Sequence, residues 1–267
     1  MSGATATERP SLHRDDWERD GYFVVPGVVP QPEVAELRGE VERLVAAIFD
    51  DFGRYSFGRY LPLEDERDGY EDVSSGVPVP TGPDALRMIL PVVDISPVFA
   101  ALARRDEVTA PARLVLGGDV SLFEDKLNLK PPGGAGFVWH QDWSCCWRAH
   151  TDELVTCFIY LDDSTEENGC LQVIPGTHGD RRPRPFRAGS TYEADVPPED
   201  RDRAVPLPLR AGDMIAFDPY LLHYSAPNRS GSPRRSIIYT YNPARLGDLW
   251  SAECHPDLAG PADRRGY

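Results

Sequence analysis

Lysine is almost absent from this chain. Of 28 basic residues only Lys126 and Lys130 are lysines, and both fall in one short predicted strand. An ammonium on a flexible stem suits that strand, with coincidence as the competing explanation. Cysteine is sparse too. Cys145, Cys146, Cys157, Cys170 and Cys254 are odd in number and form no CxxC pair. That argues against a disulfide framework or a zinc knuckle and leaves reduced, mostly buried thiols. No apolar run approaches the roughly 18 residues of a membrane helix. Met1 to Arg9 lacks the apolar core of a secretory signal, so a soluble, cytoplasmic protein is expected. Acidic residues outnumber basic ones 43 to 28, for a net charge of -15. Nucleic-acid and anionic-membrane partners, which demand a basic face, are therefore not expected.

What is present fills one domain over residues 1–267, with 1–12 expected to be disordered, 13–116 mainly helices and loops, 117–245 a β-rich core and 246–267 a loop-like tail. Tyr22 to Val25 reads as a strand after the turn Asp20-Gly21. Val34, Leu37, Val41, Leu44, Val45 and Ile48 recur at helical spacing, predicting a helix from Pro30 to Phe49 that packs one face on the core. Asp50 to Pro83 has no clear period and reads as a long irregular loop. Helices are predicted over Ser96 to Arg105 and Glu107 to Leu116, with Pro97 and Pro111 near their first turns.

From Ser121 the texture changes to strands. Lys126, Asn128 and Lys130 alternate with Leu127 and Leu129, giving one polar and one apolar face. On an exterior sheet the polar face would meet solvent. Further strands are expected at Val138 to Asp142, Leu154 to Leu161, Cys170 to Ile174, Val205 to Leu209, Met214 to Phe217, Leu221 to Ser225 and Arg235 to Tyr241. Pro175 to Pro206 reads as a charged, exposed loop. About eight strands with frequent turn signals imply a β-sandwich or barrel, and the helices before it make the class α+β.

The chemistry concentrates at Trp139-His140-Gln141-Asp142. Two residues apart on a strand, His140 and Asp142 project to one face, so an imidazole and a carboxylate can meet one cation. A third ligand must come from elsewhere. His223, on a late strand, is favoured over His178, which sits in a loop. Two His and one carboxylate with open positions is the arrangement of non-haem Fe(II) oxygenases. Such a centre needs two electrons, commonly from 2-oxoglutarate, whose far carboxylate calls for a forked cation. Arg234 or Arg235 could supply it.

These motifs resemble the phytanoyl-CoA dioxygenase family of Fe(II)/2-oxoglutarate oxygenases, which includes ectoine hydroxylase. The resemblance runs through Asp20-Gly21-Tyr22, Asn128-Leu129-Lys130-Pro131, Trp139-His140-Gln141-Asp142 and Glu167-Asn168-Gly169-Cys170-Leu171. It continues through Ile174-Pro175-Gly176-Thr177-His178, Ala211-Gly212-Asp213, His223-Tyr224-Ser225, Asn228-Arg229-Ser230 and Pro233-Arg234-Arg235. It implies a double-stranded β-helix with flanking N-terminal helices and iron held by His140, Asp142 and His223. The 2-oxoglutarate arginine falls on Arg234, with Arg235 as the fallback, and Ser225 matches a position binding the same carboxylate. Lys130 matches a cosubstrate lysine of the ectoine enzymes, whereas elsewhere in the family that contact falls at Lys126. Asn128, in the same motif, is grouped with the cosubstrate residues. Phe158 falls on a pocket position that is Trp in the human founding member. An intact Asp142 implies hydroxylation with O2, since halogenating relatives carry a small residue there.

For the substrate, Trp143, Cys145, Cys146, Trp147 and Arg148 follow the metal ligands and are candidate pocket residues, with core packing as the competing role for both tryptophans. The Asp50 to Pro83 loop is a candidate cover. An amino-acid-like molecule or natural-product intermediate fits better than a coenzyme A thioester, unless Arg181, Arg182, Arg184 and Arg187 form a local phosphate-binding patch. Two other classes stay open: a non-catalytic small-molecule binding or sensing protein, and a metal-dependent enzyme that does not use 2-oxoglutarate. Oligomeric state leaves no signature in the sequence.

Overall fold

The structure, a computed structural model, describes residues 12–56, 70–71, 80–144, 151–190, 192–247 and 249. The chain enters through α1 (Arg14–Asp20), which Gly21 ends in the left-handed conformation, φ 83°, with its N–H bonded to the Trp17 carbonyl. A side chain at Gly21 would also collide with the His178 ring. Strand β1 (Tyr22–Val25) follows, then α2 (Gln31–Asp50), which buries Val34, Leu37, Val41, Leu44 and Ile48 as the helical spacing predicts. The segment expected to be an irregular loop contains the short helix α3 (Phe52–Ser56) and the two-residue strand β2 (Tyr70–Glu71). Strand β3 (Met88–Ile89), α4 (Pro97–Leu102) and α5 (Asp106–Leu116) complete the N-terminal part. Pro111 lies inside α5 rather than in its first turn, so the helix forgoes one backbone hydrogen bond there.

The remaining strands are β4 (Val120–Asn128), β5 (Gly136–His140), β6 (Val155–Tyr160), β7 (Leu171–Val173), β8 (Val205–Leu207), β9 (Met214–Phe217), β10 (His223–Ser225) and β11 (Ser236–Pro243), with α6 (Pro198–Arg201) ahead of β8. They form two antiparallel sheets, in the orders β1-β9-β6-β11-β4-β3 and β2-β5-β10-β7-β8. This is a double-stranded β-helix. Two strands of the larger sheet come from ahead of residue 117: β1, the strand expected at Tyr22 to Val25, and β3, which the sequence reading did not include. They pair with β9 and β4 and extend the sheet at both edges.

The helices lie on the outer face of the larger sheet. Tyr239 and Tyr241 on β11 point to that side and donate to the carbonyls of Phe99 (2.8 Å) and Ala103 (2.6 Å) at α4. The inner face of the same sheet is different. Glu124, Asn128 and Lys130 are buried, so the polar face of this strand turns into the barrel, not to solvent as an exterior sheet would have it. The apolar alternate positions, Leu127 among them, pack under the helices instead.

Candidate metal centre and anion pocket

Strand β5 delivers His140, Asp142 follows two residues later, and β10 delivers His223. His140 and His223 are register partners across the β5–β10 pair. One ligand atom from each of the three residues lies within 4.8 Å of the others, and all three residues are buried. Both histidine Nε2 atoms stand 3.6 Å from Asp142 Oδ1. His140 Nδ1 is 2.7 Å from the Val138 carbonyl and His223 Nδ1 is 2.9 Å from the Leu221 carbonyl. A carbonyl only accepts, so each Nδ1 carries the proton and each Nε2 keeps its lone pair for the centre.

The electrostatics favour a cation. Burial alone would raise the Asp142 carboxyl, but His223, His140 and Lys126 outweigh it and hold the group well below the usual carboxylate range. Burial, then the neighbouring His140, pushes His223 down to about 4, so its imidazole is neutral near pH 7. Two imidazoles and one carboxylate form a donor set suited to Fe(II) with open positions.

Beside the centre, two residues along β10 from His223, lies a group of buried polar side chains suited to an anion. Arg234 is 2% exposed. Its Nη2 donates to Ser225 Oγ at 3.2 Å, while Nε and Nη1 have no hydrogen-bond partner in the protein. Along the adjoining row of the sheet, where Asn128, Ser236 and Tyr160 are cross-strand neighbours, Asn128 Oδ1, Ser236 Oγ and the Tyr160 hydroxyl are likewise buried and unpartnered. Buried polar atoms are normally satisfied. Their concentration around one arginine fits a bound carboxylate. Lys130 donates to Ser225 Oγ and to the Ala226 carbonyl, and Ser225 Oγ donates to the Gly169 carbonyl at 3.0 Å. Gly169 has φ +74°, and any Cβ there would collide with the Ala226 carbonyl, so only glycine allows this approach.

Arg235, the fallback, is committed elsewhere: its Nε and Nη2 grip Asp162 at 2.8 and 3.0 Å. The two lysines divide. Lys130 belongs to the Arg234 pocket, whereas Lys126 pairs with Glu124 at 3.0 Å and faces the metal ligands, acting on both Asp142 and His223. His178 is packed against Gly21 and is not part of the cluster. Phe158 lines the barrel interior with Tyr160, Ile215 and Ile238. Trp143 stacks on Tyr220, ring centroids 4.9 Å apart, with the Arg181 guanidinium 4.7 Å from the Tyr220 ring centre. Trp147, with Cys145, Cys146 and Arg148, lies outside the described residues. Arg181, Arg184 and Arg187 are paired with Asp218, Asp180 and Glu193, which leaves little of a phosphate-binding patch.

Three residues escaped the sequence reading. Tyr160 looks like one more apolar strand residue until its hydroxyl is found beside Arg234. Arg87, 2% exposed, lies with its guanidinium carbon 5.2 Å from the Phe137 ring centre and acts on Arg234. Tyr192 belongs to the charged segment expected to be wholly exposed. That segment instead folds back: Ala194 donates to the Trp139 carbonyl at 2.7 Å, Phe186 bridges to Ala194, and the Tyr192 ring lies 4.8 Å from that of His140. There Ser190 Oγ accepts the Tyr192 and Glu193 N–H groups.

Residues 17–236 match the phytanoyl-CoA dioxygenase (PhyH) family. The chain belongs to this family. It is 30% identical over 244 residues to a methylphosphonate hydroxylase of Gimesia maris, covering 88% of this chain and 81% of the relative. It is 28% identical to an L-proline trans-4-hydroxylase of Streptomyces griseoviridis, covering 92% and 94%. Among solved structures, EctD from S. alaskensis with 2-oxoglutarate and 5-hydroxyectoine superposes with a TM-score of 0.63 at 25% identity, covering 91% of this chain and 80% of that one. The matched span includes all three residues of the His-Asp-His cluster.

Proposed function

We propose that this chain is an Fe(II)- and 2-oxoglutarate-dependent hydroxylase of a small molecule, with iron held by His140, Asp142 and His223 and the cosubstrate anchored by Arg234. The observation that carries it is the adjacency of a buried two-histidine, one-carboxylate cluster and a buried arginine with unpartnered nitrogens. The first suits iron and the second suits the far carboxylate of a dicarboxylic keto acid. Relatives whose names include methylphosphonate, L-proline and ectoine chemistry support a small polar substrate. No helix among the described residues is long and apolar enough to cross a membrane.

When bound, iron and 2-oxoglutarate supply the oxidation, in which O2 converts the keto acid to succinate and CO2 and one oxygen atom enters a substrate C–H bond. The chain's own residues bind and orient. His140 and His223 present Nε2 because their Nδ1 protons are tied to Val138 and Leu221. Thr156 Oγ1 reaches Asp142 Oδ2 at 3.5 Å and steadies the carboxylate. Arg234, Ser225 and the Tyr160 hydroxyl clamp the far carboxylate, and Lys130 fixes Ser225. Tyr192 covers His140 and limits water at that edge. The intact carboxylate at Asp142 supports oxygen insertion over transfer of a halide.

Anaerobic titration of the metal-free protein with Fe(II) and 2-oxoglutarate tests this reading, through the visible charge-transfer band of a keto acid chelated to iron. The band should form in the wild type, and succinate should appear on admitting O2. Full metal loading without a band would refute the use of 2-oxoglutarate.

A further inference from the structure

The barrel wall carries a second buried acid. Glu124 on β4 is the register partner of Thr240 on β11, and Thr240 is the partner of Thr156 on β6. Directly paired residues point to the same side of a sheet. Thr240 and Thr156 bring their Oγ1 atoms within 3.3 Å, and Thr156 reaches Asp142. A continuous polar row, Glu124–Thr240–Thr156–Asp142, therefore crosses the wall to a metal ligand. Lys126, two residues along β4, shares that face and sets its Nζ 3.0 Å from Glu124 Oε1. Asp125 between them turns the other way and accepts the backbone N–H groups of Val92 and Val93 at 2.6 and 2.9 Å.

Packing does not explain Glu124. The next row of the same inner face is apolar, with Ile238, Phe158 and Ile215 beside the Lys126 stem. Hydrophobic residues fill such a wall at no desolvation cost, whereas a buried ion pair is at best neutral for stability. The two partners are also unequal. The Glu124 side chain is 2% exposed and sits deep, while that of Lys126 is 16% exposed and rides on a flexible stem. A ligand cation can replace the Lys126 ammonium without leaving the carboxylate unpaired.

We propose that Glu124 selects the substrate by binding a protonated amine or amidinium, and that Lys126 is the resident counter-ion which this group displaces. This rests on the same cavity serving an oxygenase, and it narrows the substrate to amines and zwitterions. A purely anionic or neutral molecule of the same shape would leave the pair closed.

The test uses a matched set of five-membered rings on protein loaded anaerobically with Fe(II) and 2-oxoglutarate: pyrrolidinium, cyclopentylammonium, L-proline, cyclopentanecarboxylate and cyclopentanol. Calorimetry reads binding directly, and the chelate band is recorded alongside. The amine-bearing members should bind about tenfold or more tightly than the carboxylate and the alcohol, with Glu124→Gln erasing the preference. Lys126→Met should tighten amine binding, because it removes the competing ammonium, an effect that a merely structural pair would not show. Equal binding across the set, binding of no amine, a preference surviving Glu124→Gln, or weaker amine binding in Lys126→Met would each overturn the proposal. Absence of the chelate band in the wild type would tell against the oxygenase reading instead, and the calorimetric comparison would still decide the role of Glu124.

Discussion

His223 lies directly across the strand pair from His140, with the two ring centroids 4.0 Å apart. Eighty-three positions separate them in the sequence, and one register between β5 and β10 brings their Nε2 atoms to the same carboxylate. Each ring is further locked by a carbonyl two residues upstream, so the cluster is organised before any cation arrives.

Removing one member should therefore cost the metal rather than the fold. His223→Ala is expected to abolish the chelate band and succinate formation, since two ligands hold iron poorly at neutral pH, while circular dichroism stays native-like. An iron assay after desalting, compared with wild type, checks this.

Arg234 faces the anion pocket with two unpartnered nitrogens. Hydrogen bonds to charged groups contribute about 1.5–3 kcal/mol each, so Arg234→Ala should weaken 2-oxoglutarate by roughly one hundredfold or more. Arg234→Lys should recover only part of it, because an ammonium cannot reproduce the fork. The KM for 2-oxoglutarate in succinate formation is the readout, and an unchanged KM in Arg234→Ala would move the cosubstrate elsewhere.

Tyr192 packs its ring, tilted, against His140 from a segment outside the barrel sheets. Tyr192→Ala should open that edge to water and speed the loss of iron to an added chelator, whereas Tyr192→Phe, which keeps the ring, should behave like the wild type. Stopped-flow measurement of chelator absorbance distinguishes the two.

Acid should destabilise the metal-free protein through His223. Burial, then His140, lowers this group from an ordinary value of 6.5 to about 4 on folding. The unfolded chain then binds the proton more readily, so stability is complete above the unfolded value and falls as pH drops from 6.5 toward 4. The loss should reach up to about 3 kcal/mol. Denaturant titrations across that window should give a smaller pH slope in His223→Gln than in wild type.

The sequence by itself determined the ligand types, the one-face geometry of His140 and Asp142 and the helical stripe of α2. These follow from periodicities of 2 and 3.6 residues, which any local window carries. It also favoured His223 over His178 as the third ligand, and the family resemblance pointed to Arg234 for the cosubstrate with Arg235 as the fallback. Tertiary structure decided what depends on which way a face turns and on which distant segment covers it. Lys126, Asn128 and Lys130 alternate identically whether their side meets solvent or the barrel interior, and only closure of the two sheets puts them inside. Arg234 and Arg235 are adjacent and chemically alike; in the segment just ahead of β11 one turns to Ser225 and the other to Asp162. Tyr160, Arg87 and Tyr192 lie 42 to 147 positions from Arg234 and 20 to 53 from His140 in a chain that gives no local cue to their roles. Long-range pairing of β4, β11 and β6 put Glu124 in one polar row that leads through Thr240 and Thr156 to Asp142, and that pairing is a property of the folded sheet alone.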